Sequence, residues 1–84
     1  MSDSINRITT AIDKYEKEVY SESDFHQTMG SILFSLLDSE STLRDFIREI
    51  ENQLELIDFT FNKDDKRSEY LVQIQKIKDF IKSY

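Results

Sequence analysis

The chain has no cysteine, no proline, one glycine and one histidine. Without cysteine there is no disulfide to staple a small core, and the absence fits a reducing compartment, so a cytoplasmic location is expected. With no proline and only Gly30, the turn punctuation of an all-β fold is missing, which favours long uninterrupted helices. No apolar run approaches the ~18 residues of a membrane span, so no membrane partner is expected. The opening MSDSINR lacks the apolar stretch of a signal peptide.

The chemistry of an enzyme is also thin. His26 is the single histidine; Glu22, four residues earlier, could share its helical face and hold a metal, but two ligands fall short of a zinc site. His26 is therefore read as a surface or boundary residue. A Cys–His pair is impossible, and a Ser–His pair lacks both a nucleophile elbow and a glycine-rich turn for an oxyanion hole. The run Asn62-Lys63-Asp64-Asp65-Lys66 has lysines where a calcium loop needs oxygen ligands and lacks its central glycine. No glycine loop could cradle a phosphate. The acids Asp45, Glu49, Glu51, Glu55 and Asp58 fall on the polar side of their helix, and no Glu-x-x-His pair accompanies them, which excludes a di-metal carboxylate reading. A non-enzymatic protein with no cofactor and no metal is expected.

What the chain does have is acid. Its net charge is −6, unevenly placed: residues 1–62 hold 13 acids against 5 bases, a net of −8, and residues 63–84 hold 4 against 6, a net of +2. Like charge argues against nucleic acid as the partner, whereas a more basic protein would be attracted over distance. Plain solubility is the alternative account of the same charge. A helix-turn-helix reading fails, because the turn lacks its glycine and the recognition helix would be acidic. The C-terminal lysines Lys76, Lys78 and Lys82 are interspersed with Asp79 and bulky apolar residues, as on a solvated helix face.

The apolar residues recur at helical spacing in four stretches. Ile5, Ile8, Ile12, Tyr15 and Val19 form a stripe behind N-cap candidates Ser2 and Ser4. After a break at residues 20–23, Ser23 is the expected cap of a second helix buried through Phe25, Met29, Ile32, Leu33, Leu36 and Leu37. Phe34 points away from that face, and Gly30 within the helix marks either close approach of a neighbour or simple tolerance. After residues 38–42, where Ser39, Ser41 or a Thr42–Asp45 box could cap, comes the longest pattern. Leu43, Phe46, Ile47, Ile50, Leu54, Ile57 and Phe61 share one face of a helix within 41–62, the element the rest of the chain is expected to be organised around. A last helix, capped by Asn62 or Asp64, carries Tyr70, Leu71, Ile74, Ile77, Ile81 and Tyr84, flanked by Phe80. Short connections imply antiparallel neighbours. The 84 residues are thus expected to form one domain, an all-α, small antiparallel up-and-down four-helix bundle.

The third pattern leaves Leu56 and Phe59 unexplained, on the side opposite its apolar face. Either they form a second core layer or they stay exposed among Glu49, Asn52 and Glu55, as an anchor inside a polar rim. The stretch Glu49 to Tyr70, EIENQLELIDFTFNKDDKRSEY, resembles that of small all-helical bacterial proteins of the immunity type, which protect a cell from its own or a neighbour's toxin. The resemblance covers about a quarter of the chain and implies a module that neutralises a partner protein. Two other readings use the same surface: a small regulatory or phage-type adaptor binding a host protein, and a structural homodimer in which Leu56 and Phe59 meet their own copies.

Overall fold

A computed structural model describes residues 3–36 and 40–84. They form four helices and, among the described residues, no strand: α1 (Asp3–Glu16), α2 (Glu22–Ser35), α3 (Ser41–Thr60) and α4 (Lys63–Ser83). The expectations placed on Ser2, Leu37 and Ser39 lie outside the described residues. The helices pack as the expected bundle, 37 × 23 × 21 Å, whose long axis accommodates the roughly 30 Å of α3 and α4. Although α3 carries the longest apolar pattern, α2 also packs against all three other helices.

Each helix end has a local cause. The stripe of α1 buries Ile5, Ile8, Ile12 and Tyr15, with Ala11 between them. It does not extend to Val19, which is 65 % exposed. The helix closes instead with a Schellman motif: Val19 N–H donates to the Lys14 carbonyl (2.8 Å) and Glu18 N–H to that of Tyr15 (3.0 Å), with Glu18 at φ 63°. Ser4 is already inside α1, where its hydroxyl donates to Glu40 Oε2 (3.4 Å).

Ser21, not Ser23, caps α2. Its hydroxyl accepts from Asp24 N–H while the Asp24 carboxylate accepts from Ser21 N–H, both at 3.2 Å, a reciprocal capping box. The Ser–x–x–acid spacing was present in the sequence, two residues before the assumed cap. Glu40 precedes α3 with no side-chain cap, so the expected capping by Ser41 or the Thr42–Asp45 box does not form. Asn62 caps α4 as expected, its side-chain oxygen accepting from the Asp64 and Asp65 amides.

Phe25, Met29 and Ile32 from α2, Leu43, Ile47, Ile50 and Leu54 from α3, and Tyr70, Ile74 and Ile77 from α4 are sealed from solvent, and Leu33 is half-buried at the margin. Phe46 is also half-buried and stacks face to face on Phe80, centroids 4.0 Å apart; Tyr84 stacks on Phe80 in turn, its other side in solvent. Phe61 departs from the expected buried face: it is the C-cap of α3, its backbone is extended (ψ 147°), and the helical phase has ended. At the other end of the bundle Tyr15, Phe25 and Tyr70 form an aromatic trio with centroids 5.3 to 6.2 Å apart.

Candidate functional site

The outer flank of α3 follows directly from its winding. With Leu43, Ile47, Ile50, Leu54 and Ile57 turned to the core, residues 49, 52, 55, 56 and 59 fall on the far side at 3.6 residues per turn. Glu49, Asn52, Glu55, Leu56 and Phe59 are all exposed. Leu56 is 58 % and Phe59 87 % exposed, so no helix folds over them as a second core layer. Three residues apart, they lie side by side on the helix surface. Gln53 donates weakly to Glu49 (3.4 Å), and Glu55 makes no ion pair among the described residues. The result is an apolar pair edged by carboxylates. Phe34 on α2, which points away from the buried face as expected, is another solvent-facing aromatic, 94 % exposed.

The inner flank of α3 corrects the reading of its acids. Glu51 and Asp58 do not project outward with the others; both are half-buried and turned toward α2. His26 is the boundary residue expected, yet it is engaged on both ring nitrogens: Nδ1 lies 2.8 Å from Asp58 Oδ2 and Nε2 3.0 Å from Glu51 Oε1. Tyr70 donates to Asp58 Oδ1 (2.7 Å), and Lys66 Nζ approaches the same oxygen at 3.8 Å. Glu22, the residue that might have joined His26 at a metal, instead accepts from the Tyr15 hydroxyl (2.6 Å). Burial pushes both tyrosine hydroxyls above their ordinary range, and the carboxylates they touch push further. Burial likewise holds the Glu51 carboxyl above the usual carboxylate range; His26 opposes this, and the charges of Glu55 and Asp58 reinforce it.

Glu22, His26, Glu51, Asp58 and Lys66 border a hollow of about 400 Å³ that Ser23, Gln27 and Gly30 also line. The ring as placed has no nitrogen left to activate the Ser23 hydroxyl, since each already faces a carboxylate oxygen. No group of three His, Asp or Glu side chains among the described residues is arranged to hold a metal ion. What this arrangement provides is a polar tie between α2 and α3, extended to α4 through Asp58 and Tyr70. Sequence reasoning missed it because α3 supplies Glu51 and Asp58 to an α2 residue far away in the chain. The available signal was their seven-residue spacing, which places both acids on one edge of the buried stripe. No described helix is long and apolar enough to cross a membrane. The chain matches no protein-family profile, no curated protein and no solved structure.

Proposed function

We propose that the chain is a non-enzymatic protein-binding module, of the kind in which an immunity protein or antitoxin neutralises a partner protein. The observation that carries this reading is the exposure of Leu56 and Phe59 beside a core that is complete without them. Large apolar side chains inside a polar rim are the usual anatomy of a binding hot spot. Glu49, Glu55 and Asn52 supply that rim, and the net charge of −8 over residues 1–62 would draw in a more basic partner. A homodimer through the same pair fits less well. Two-fold packing would bring Glu49 and Glu55 toward their own copies, and juxtaposed like charges oppose association. A cytoplasmic setting belongs to the proposal, on the zero cysteine count alone.

The test is affinity capture from the native host with the wild-type chain and with Leu56→Ser, Phe59→Ser as bait. A protein retained by the first and lost by the second supports the reading. A toxin encoded beside this chain's gene would specify the immunity form over a regulatory adaptor. Equal retention by both baits would remove the α3 flank from the interface.

A further inference from the structure

One imidazole joins α2 to α3 with a carboxylate on each of its nitrogens, Asp58 at 2.8 Å and Glu51 at 3.0 Å. A neutral imidazole has one N–H, and its other nitrogen is a lone-pair acceptor. It can donate to only one of these carboxylates; the other contact would set a lone pair against an anionic oxygen. Both contacts become hydrogen bonds only when one more proton enters the group.

The geometry places that proton between Nε2 and Glu51. Glu51 Oε1 is buried and has no hydrogen-bond partner although Nε2 lies 3.0 Å away, whereas Asp58 Oδ1 accepts from the Tyr70 hydroxyl and has Lys66 Nζ at 3.8 Å. The charged and titratable surroundings are mostly acidic. From α2 comes Glu22, tied to Tyr15 of α1; from α3 comes Glu55, whose charge bears on Glu51; α4 supplies Lys66 and Tyr70. Gly30 gives Glu51 its seat, because a Cβ there would lie 3.1 Å from Glu51 Oε2.

We propose that His26, Glu51 and Asp58 hold an extra proton as one unit and that its release, as pH rises, loosens the second half of α3 from α2. The upward displacement of the Glu51 carboxyl by burial has the matching sign. A group that binds its proton more tightly when folded contributes stability that is complete on the acid side and lost as pH rises through the folded-state titration. The inference is independent of what the outer flank of α3 binds.

His26 is the chain's one histidine, so imidazole nitrogen NMR of the full wild-type chain reads this group without ambiguity. Over about pH 5 to 8, both ring nitrogens should carry protons at the acid end. Nε2 should lose its proton first, and the protection of amides 51–58 against exchange, taken relative to the base-catalysed intrinsic rate, should fall with the same midpoint. In Glu51→Gln the side-chain amide can donate to Nε2, so the ring should titrate at lower pH. The melting temperature of this variant at pH 8 should exceed that of the wild type by about 5 °C. Glu49→Gln, which removes an exposed acid of the same helix, should not reproduce that gain. A ring midpoint unchanged by Glu51→Gln, or amide protection in 51–58 that ignores the wild-type ring titration, would overturn the proposal.

Discussion

At the scale of single residues, the most informative is Glu18. It holds a left-handed backbone, φ 63°, which costs a residue with a Cβ roughly 1 to 2 kcal/mol. Glycine is the usual occupant of this helix-ending position. Glu18→Gly should therefore stabilise the protein by about 0.5 to 1 kcal/mol, less than the full strain because glycine also gains freedom in the unfolded chain. Chemical denaturation measures this, and a loss of stability would mean that the Glu18 conformation is not strained. The same residue explains why the apolar spacing points past the true end of α1. Without glycine to announce the stop, the apolar spacing ran on to Val19, and only the backbone shows the turn. His26 is the complementary case. Its side chain is plain in the sequence, but its two carboxylates come from another helix and no local pattern points to them.

At the scale of the helices, legibility follows periodicity. Leu43, Ile47, Ile50, Leu54 and Ile57 were readable because one stripe of α3 packs inward, and they are buried. Leu54 is sealed from solvent, and Leu54→Ala should cost about 2 to 5 kcal/mol in equilibrium unfolding. A cost below about 1 kcal/mol, the range of surface substitutions, would contradict its place in the core. The α2–α3 seam offers a subtler test at Gly30. Alanine there gains about 1 kcal/mol of helix propensity, but its Cβ would press on the Glu51 carboxylate at 3.1 Å. That side chain is held by His26 and cannot swing aside without breaking the contact. Gly30→Ala should thus return less than its propensity gain, and should return it in full when Glu51 is also alanine. A double-mutant cycle with no coupling between the two positions would separate Gly30 from the seating of Glu51. Of the two readings of Gly30, close approach of a neighbour and simple tolerance, the structure favours the first, the neighbour being the Glu51 side chain from α3. The caps were less legible than the stripes, since the capping box at Ser21 and the uncapped start of α3 depend on where the chain turns rather than on composition.

At the scale of the whole molecule, the proposed function divides recognition between charge and exposed apolar surface. The acidic majority would act over distance and set the rate of encounter, while Leu56 and Phe59 would set how long a complex lasts. Association with a captured basic partner should slow as ionic strength is raised from low to physiological values, because the Debye length contracts to about 8 Å. A rate independent of salt would leave only apolar contact. The central claim is that Leu56 and Phe59 serve binding and not folding, and thermal unfolding of Leu56→Ser, Phe59→Ser beside the wild type, read together with partner capture, tests it most directly. The melting temperature should hold within about 2 °C, where each 1 kcal/mol of lost core would lower a domain of this size by about 4 to 8 °C, and the partner should no longer be retained. A fall of many degrees would return the pair to the core, and a variant that kept both its stability and its partner would contradict the account.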